Sequence, residues 1–572
     1  MENVRVADIF DEIADLLELE DANAFRVRSY RSAAQSVRGL SERLEDMLAE
    51  GRDLADIPNV GQATADKIQE ILETGTCKRL EELHEDLPQG LRRLMDVPGL
   101  GPRKAMQIYR ALEIDNLDDL KAACEHQRIR ALDGMGAKTE EKILQGIQTV
   151  QSTAGRLLLR DAEEHLHALA EHLDGVDAVD RWSAAGSYRR KKETVGDLDV
   201  LVHADDRKQA ADGILAHDGV EEVLNRGEER ISVRLSGGLQ VDFRFFDEAA
   251  FGAAMLYFTG SKAHNIKVRR RAQEKDWKLN EYGIFSGDRR LAGKTEEAMY
   301  SRLDLPWIAP ELREDRGEVE AADEGDLPDL VETDQVRGDL QSHTTASDGN
   351  NSIREMAAAA RDYGLDYLAL TDHSKRVTMA NGLNDDDTRR HAEAIREADG
   401  ELDGFRLLAG IEVDILKSGR LDLKQATLES LDWVVASIHY DRNLDREAMT
   451  NRVVKAVESG VVHALGHPLG RIIGKRDPIA LDLDRVFTAC VEQGVRIEIN
   501  CQPDRLDLPD HHCRRARDGG VGFTLGTDAH AAANFHYLPF GVNVARRGWL
   551  RAADVLNCLS RAKLEKELGL QS

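Results

Sequence analysis

Ala185-Gly186-Ser187-Tyr188-Arg189-Arg190-Lys191-Lys192-Glu193-Thr194-Val195-Gly196-Asp197-Leu198-Asp199-Val200-Leu201-Val202 places two carboxylates two residues apart at the start of an apolar run. In a strand, residues i and i+2 share a face, so Asp197 and Asp199 point the same way. Two close carboxylates repel. A divalent cation between them removes that cost, and oxygen ligands at this spacing suit Mg2+. Downstream, Ile231-Ser232-Val233-Arg234-Leu235, a turn at Ser236-Gly237-Gly238, and Leu239-Gln240-Val241-Asp242-Phe243 read as a hairpin whose second strand presents Asp242 between apolar neighbours. Three acids can bridge two metals, one activating an attacking hydroxyl and one holding a leaving pyrophosphate. Gly186 and Ser187, followed by Arg190, supply an N–H, a hydroxyl and a guanidinium for a triphosphate.

Outward from this site, the 572 residues are enough for roughly four units of ~150 residues. No apolar run approaches the ~18–20 residues of a membrane helix. Met1-Glu2-Asn3-Val4-Arg5 leads into an acidic amphipathic segment, so no signal peptide is expected and a cytoplasmic protein is. Cys77, Cys124, Cys490, Cys501, Cys513 and Cys558 form no CxxC pair, which argues against a disulfide framework and a cysteine zinc finger. Lys+Arg 77 against Asp+Glu 105 leaves a net charge of -28, opposed to a nucleic-acid partner whose phosphates need neutralising. Only 21 of the 77 basic residues are Lys, and such an acid-rich, Lys-poor composition suits a salt-saturated cytoplasm and a halophilic source. Net charge speaks to solubility and medium, not to fold.

Three stretches near the N-terminus share a frame: Ile57-Pro58-Asn59-Val60-Gly61, Val97-Pro98-Gly99-Leu100-Gly101 and Leu132-Asp133-Gly134-Met135-Gly136, with Ile68, Ile108 or Ile143 seven residues after the last glycine. The first Asn or Gly suits a left-handed turn. The second glycine leaves the N–H groups of the next helix open to an anion, so a phosphate can be held without a positive side chain. These repeats resemble helix-hairpin-helix modules, which grip the DNA backbone without reading sequence. Gly61, Gly99, Gly101, Gly134 and Gly136 are then the expected DNA contacts.

Gly-Ser-x-Arg-Arg…Gly-Asp-x-Asp, here Gly186 to Asp199, resembles the nucleotidyltransferase motif of family X DNA polymerases, the DNA polymerase beta group. Tyr257-Phe258-Thr259-Gly260-Ser261, with Asn265 and Arg269, is similar to that family's segment for the incoming nucleotide. The resemblance implies that Asp197, Asp199 and Asp242 are catalytic Mg2+ ligands and that Gly186, Ser187, Arg190, Gly196, Gly260 and Ser261 bind the nucleotide. It also implies that Tyr257 and Phe258 lie against the sugar, Asn265 reaches the base edge and Arg269 contacts the template side. Read without the family, Lys262, Lys267, Arg269, Arg270, Arg271 and Lys275 form a basic cluster beside aromatics, suited to a nucleic-acid backbone. Phe25-Arg26-Val27-Arg28-Ser29-Tyr30-Arg31-Ser32-Ala33-Ala34 and the first hairpin resemble the family's small lyase domain, with Tyr30 on DNA and Lys67 at the Schiff-base position. Ala63 stands where the vertebrate enzyme has a second lysine.

Between Glu311 and Gly338 eleven acids face three Arg with almost no apolar periodicity, which reads as a linker. Beyond it, apolar runs alternate with helical stretches: Leu365 to Leu370, Phe405 to Val413, Trp433 to Ile438, Val461 to Leu465, Val495 to Ile499 and Val521 to Leu525. This rhythm implies βα units around a mostly parallel sheet or barrel. Metal-ligand types gather at the strand ends: His343, Asp348, Asp372, His373, Glu412, His439, His467, Glu498, Asp528 and His530. Active sites of barrels collect on that rim, and mixed His and carboxylate sets suit Zn2+ or Mn2+. Gly338-Asp339-Leu340-Gln341-Ser342-His343, Thr371-Asp372-His373, Gly466-His467-Pro468 and Gly526-Thr527-Asp528-Ala529-His530 resemble the polymerase and histidinol phosphatase (PHP) domain. That family opens on His-x-His, whereas this chain has Gln341-Ser342-His343, and an amide oxygen is a weaker ligand for Zn2+ or Mn2+.

The expected organisation is multidomain α and α/β. A helical lyase-like unit spans 1–85, helix-hairpin-helix fingers 86–150, a nucleotidyltransferase palm 151–250 and a thumb 251–310. An acidic linker over 311–336 leads to a PHP distorted TIM-like barrel over 337–572. The resemblance implies a monomeric gap-filling repair polymerase acting on gapped or primed DNA with dNTPs, and a barrel with 3'-5' exonuclease or phosphoesterase activity. A nucleotidyltransferase acting on RNA or small molecules, fused to a phosphatase, would share the acidic core but would not need three hairpins; a structural, inactive barrel is the other alternative. If backbone N–H groups carry DNA binding, measurable affinity for gapped DNA persists at molar KCl in fluorescence-anisotropy titrations. Loss of all binding there would contradict that reading.

Overall fold

The computed structural model describes residues 3–20, 22–38, 40, 44–49, 51–95, 97, 100–153, 156–236 and 238–570. Helices Asn3–Leu19, Ala24–Arg38, Gln62–Thr74, Lys78–Asp86, Pro102–Leu112, Leu117–Glu125 and Ala137–Thr153 carry the first part of the chain. Their apolar faces meet in one cluster running from Val6 and Phe10 through Ile68 and Ile108 to Ile147, so the expected boundary at residue 85 does not separate two cores. In the hairpins, Asn59 (φ 61°) and Gly134 (φ 68°) take the left-handed turn. Ile68, Ile108 and Ile143 are fully buried, and a Cβ added at Gly61, Gly101 or Gly136 would meet nothing within 4 Å. The first N–H groups of these helices are therefore unobstructed. Gly99 lies outside the described residues.

The palm is a five-stranded sheet in the order Arg181–Ala184, Asp197–His203, Gln240–Phe245, Arg230–Leu235, Val220–Arg226. Asp197–His203 runs parallel to Gln240–Phe245, and Asp199 and Asp242 are direct partners across that pair. The hairpin expected around Asp242 forms, with Arg230–Leu235 antiparallel to Gln240–Phe245. Helices Leu159–Asp174 and Arg207–Leu215 bury Leu166, Leu169 and Ile214 against the sheet. The thumb follows with helices Phe251–Thr259, Lys262–Gln273 and Glu296–Arg302 and a small three-stranded sheet.

Residues 311–336 are not the solvated linker that their composition implies. They form helix Glu318–Glu324 and bury Leu312, Val319, Ala322 and Leu330 in the thumb's core. Their acids are matched by cations from both sides: Glu318 meets His264 at 2.7 Å and Asp315 meets Lys267 at 2.7 Å in the thumb, while Glu311 meets Arg546 at 2.8 Å and Glu314 meets Arg547 at 3.1 Å beyond. Local acid excess signals disorder only where no distant Arg pays for it.

After this segment seven parallel strands follow in sequence order: Gly338–Asp339, Tyr367–Leu370, Arg406–Asp414, Trp433–Ser437, Ala464–Leu465, Arg496–Asn500 and Phe523–Gly526. Bonds from His343 N–H to the Ala529 carbonyl (2.8 Å) and from Asp528 N–H to the Gln341 carbonyl (3.0 Å) bring the last strand back to the first and close the barrel. Barrel and palm share a continuous apolar cluster. Charge reinforces it: Arg471 of the barrel meets Glu193 of the palm at 2.6 Å, and buried Arg547 donates to the Arg190 carbonyl at 2.6 Å while pairing with Glu314 and, at 2.7 Å, with Asp510. Truncating Arg547 to Ala removes one of two cations from each of two partly buried carboxylates, leaving Glu314 with Arg190 and Asp510 with Arg316, and frees the Arg190 carbonyl. The expected cost is about 3 kcal/mol in urea unfolding; a change below about 0.5 kcal/mol would mean the brace carries no load.

Two candidate active sites

The palm site begins with a turn that only glycine permits. Gly186 has φ 63°, and a Cβ there would come within 2.9 Å of Asp199 Oδ2. The short helix Gly186–Arg189 thus sits directly over the acid, anchored by the Ala185 N–H on the Asp199 carbonyl at 2.8 Å. Burial, and next the charge of Asp197, push the Asp199 carboxyl up to about 6 although Arg244 pulls the other way. Like charge is concentrated here beyond what the site itself relieves. Two arginines not singled out in the sequence hold the acids apart: Arg230 donates to Asp242 at 2.6 Å, and Arg244 lies 3.5 Å from Asp199 and 3.6 Å from Asp242. A guanidinium between two carboxylates relieves the same repulsion that a bound divalent cation would relieve. The signal was present, because Arg244 is two residues from Asp242 on one strand and Arg230 is its cross-strand partner.

Asp197 and Asp199 open into a cleft of about 1070 Å3 whose walls include Gly186, Ser187, Arg190, Tyr257, Phe258, Gly260, Asn265 and Arg269. The expected nucleotide residues are thus largely brought together, and Lys192, Lys262 and, from the barrel, Arg471 and Arg547 join them. Asp242, Gly196 and Ser261 do not line this cleft; Asp242 is buried beside Asp199 under Arg230. Ser261 is the N-cap of helix Lys262–Gln273, its hydroxyl accepting the His264 N–H at 3.2 Å, and Gly196 packs beside Arg156. Arg190 is already engaged with Glu314 at 3.0 Å, and Asn265 donates to the Tyr257 carbonyl at 2.6 Å while its Oδ1 is left without a partner. Phe258 carries the Arg244 guanidinium over its ring, 4.5 Å from the centroid, which ties the nucleotide segment to the acid triad.

At the barrel rim the ligand atoms of His343, Asp348, His373 and His530 all lie within 4.8 Å of one another, as do those of His373, Glu412 and His439. His467 Nε2 adds a 2.8 Å contact to Glu412, and His343 Nε2 lies 3.0 Å from Asp528. His373 Nδ1 and Glu412 Oε2 are 2.8 Å apart, yet neither atom has a hydrogen bond, and His343 Nδ1, His467 Nδ1 and Glu498 Oε1 are also buried without partners. Orphaned buried donors and acceptors in an imidazole and carboxylate set fit a divalent metal cluster. Burial alone would strip His439 and His530 of their protons; Glu412 and Asp414 hold His439, and Asp348 and Asp528 hold His530, up to about 10. His467 (φ 25°) and Asp528 (φ 53°) sit in strained backbone, which tends to collect at such sites.

Asp372, named among the ligands, is not part of either cluster. Its buried carboxylate is consumed by the Thr344 N–H (2.9 Å), the Ser347 hydroxyl (2.6 Å) and His391 (2.7 Å), so it shapes the loop after His343 instead. Glu498 likewise stands behind the clusters, accepting the His467 N–H at 2.6 Å, while burial lifts its carboxyl well above the usual range. Gln341 is 1 % exposed with neither amide atom hydrogen-bonded. Three orienting residues escaped the sequence reading: Asp414 beneath His439 (3.2 Å), Asn500 on Asp528 (3.2 Å), and His391. Asp414 and Asn500 each follow a named acid by two residues on a strand, so period two could have found them.

In the N-terminal unit, Lys67 donates to the Ala63 carbonyl at 2.7 Å on the helix behind the first hairpin. Tyr30 is turned inward against Phe10, with ring centroids 5.8 Å apart, whereas Phe25 on the same helix is 69 % exposed and better placed to stack on a base.

Comparison with known proteins agrees with this arrangement part by part. Residues 1–77 match the helix-hairpin-helix domain, 91–149 the SAM-like helix-hairpin-helix tandem, 158–240 the DNA polymerase beta palm, 254–314 the DNA polymerase beta thumb and 339–502 the PHP domain. The DNA polymerase/3'-5' exonuclease PolX of Bacillus subtilis is 35% identical over 562 residues, 97% of each chain. DNA polymerase lambda of Arabidopsis thaliana is 25% identical over 54% of this chain and 62% of its own, and a probable phosphatase of Thermoanaerobacter is 28% identical over 38% of this chain and 89% of its own. With both sites and every folded unit accounted for, the chain belongs to the family X DNA polymerases that carry a C-terminal PHP domain.

Proposed function

We propose that this protein is a DNA-directed DNA polymerase that fills short gaps during repair and whose barrel trims 3' ends as a 3'-5' exonuclease or phosphoesterase. The observation that carries the polymerase reading is the in-register pairing of Asp199 with buried Asp242 below a glycine turn, with Asp197 and Asp199 lining a cleft walled by aromatic and basic side chains. Asp197, Asp199 and Asp242 would hold Mg2+; His343, Asp348, His373, Glu412, His439, His467, Asp528 and His530 would hold Zn2+ or Mn2+. A bound divalent cation supplies Lewis acidity at a phosphoryl oxygen and an activated oxygen nucleophile.

The chain's own groups do the rest. The N–H and hydroxyl groups at Gly186 and Ser187 orient the triphosphate, with Arg190 and Lys192 offering positive charge. Tyr257 and Phe258 bear on the sugar, and the open Oδ1 of Asn265 faces the base edge. Arg230 and Arg244 keep the carboxylates from repelling one another until metal enters. Arg269 and the hairpin N–H groups at Gly61, Gly101 and Gly136 hold the DNA backbone, and Lys67 is a candidate Schiff-base amine for a weak lyase. We read the acid-rich surface as an adaptation to concentrated salt, in the cytoplasm, with the chain acting as a monomer.

Asp199→Ala is expected to lower primer extension on gapped DNA by at least ~1000-fold and to leave DNA affinity within about twofold in an electrophoretic shift assay; retained incorporation would sink the assignment. In the barrel, Gln341 gives the cluster a weak amide ligand where imidazole would bind better. Gln341→His is expected to retain more Mn2+ or Zn2+ per chain after dialysis, measured by plasma mass spectrometry, and to trim 3' ends faster. Equal metal content and equal trimming would mean that the position does not govern the cluster.

A further inference from the structure

Beside the barrel's ligand cluster, three arginines meet without a close ion pair among the described residues, although Asp507 lies near them. The loop that follows His467 turns at Gly470 (φ 54°), where a Cβ would collide with Arg442. Arg442 Nη2 and Arg476 Nε donate to the same Gly470 carbonyl, at 2.7 and 2.9 Å, so the two guanidiniums are brought against each other. Arg505 joins them from the loop after strand Arg496–Asn500 and makes no side-chain hydrogen bond among the described residues. Among the described residues none of the three lies within 4 Å of a carboxylate, whereas other arginines at domain boundaries, such as Arg471, Arg546 and Arg547, are ion-paired.

Burial, then their neighbours' positive charges, hold Arg442 and Arg476 below the ordinary guanidinium range, Arg476 to about 10. Asp507 is the nearest buried acid in sequence, and one of its oxygens is taken by the Leu469 N–H at 3.0 Å. Each guanidinium has five N–H donors, and one carbonyl satisfies few of them. Arg442 and Arg476, pressed together and under-bonded while partly buried, would be stabilised by an anion that completes their donors. Arg505 differs from the other two: burial opposes its charge, but Asp528, Asp504, Glu412 and Asp507 hold its guanidinium above the ordinary range, and the influence of Asp528 and Glu412 places it beside the ligand cluster.

We propose that Arg442, Arg476 and Arg505 form a phosphate-holding subsite that takes a backbone phosphate of the nucleic-acid strand whose end is presented to the barrel. The inference rests on the reading of the barrel as a phosphoesterase, and adds the group that positions the strand. The three arginines are positioning residues: they touch a phosphate that is not the one cleaved. A continuous path supports a strand over a free monoester, because Arg471, next to Gly470 in the same loop, reaches the palm cleft through Glu193.

Arg505→Gln is the cleanest test, since Arg505 braces nothing that its loss would release. Arg476→Gln keeps a donor for the Gly470 carbonyl and removes only the charge. In the full chain with Mn2+, each variant is expected to raise the KM for 3'-end trimming of a single-stranded oligonucleotide about tenfold, with kcat within about twofold, and Arg476→Lys to recover most of the loss. In EDTA-treated protein, calorimetric titration with inorganic phosphate should show one site fewer in Arg505→Gln than in wild type. Unchanged KM and unchanged phosphate stoichiometry would overturn the subsite while leaving the barrel's activity standing. Loss of the phosphate site in the variant of a wild-type protein that trims no ends would keep the subsite and remove the phosphoesterase reading. A KM effect confined to a phosphate monoester, with the oligonucleotide unaffected, would overturn the strand as its ligand.

Discussion

Negative charge is brought together by strand register and left for cations from elsewhere to relieve. Asp199 and Asp242 lie side by side because two parallel strands pair in that register, and the glycine turn above them leaves the space that the Asp199 carboxylate occupies, since a Cβ there would come within 2.9 Å of its Oδ2. Arg244 relieves the repulsion partly, and the Asp199 carboxyl raised to about 6 registers what is left. The barrel repeats the constraint with imidazoles added. Glu412 is fully buried against His373, His439 and His467 and cannot turn to water. In both places the fold supplies the ligand geometry first and leaves the charge balance open, which is what a cation-dependent phosphoryl site requires.

The same economy joins the parts of the molecule. A surplus of acid would hold domains apart in dilute salt, yet the segment 311–336 shows how the surplus is used: its carboxylates are bound by His264 and Lys267 of the thumb and by Arg546 and Arg547 of the barrel, and its few apolar residues are buried. Arg547 links the Arg190 carbonyl, Glu314 and Asp510, so the wall of the palm cleft is built partly from the barrel. The palm and the barrel are therefore neighbours in a physical sense beyond their order in the chain. Against this background of paired arginines, the unpaired group of Arg442, Arg476 and Arg505 acquires its meaning.

Much of the two sites was legible because strand chemistry is local. Period two placed Asp197 with Asp199, apolar runs marked the barrel strands, and ligand types at run ends marked its rim. The same rule, applied once more, would have found Arg244 after Asp242, Asp414 after Glu412 and Asn500 after Glu498. Asp372 and Ser261 were misjudged for a different reason. Each has the right chemistry beside the right neighbours, but Asp372 is captured by Thr344, Ser347 and His391, and Ser261 by the N–H of the helix it caps.

The amino-acid sequence by itself determined the inventory and its order: three hairpins, an acid triad with its glycine turn, a nucleotide segment and a ring of ligands on strand ends. These depend on i to i+2 spacing, on turn residues and on hydrophobic period, all of which are set within a few residues. Only the tertiary structure decided which carboxylates face a shared point and which hold a loop, that an acidic stretch is a folded bridge, and that three distant arginines converge without a close carboxylate among the described residues. Those outcomes depend on pairings such as Asp372 with His391, Glu193 with Arg471 or Arg442 with Gly470, whose free energy belongs to contacts between segments and leaves no trace in either segment alone.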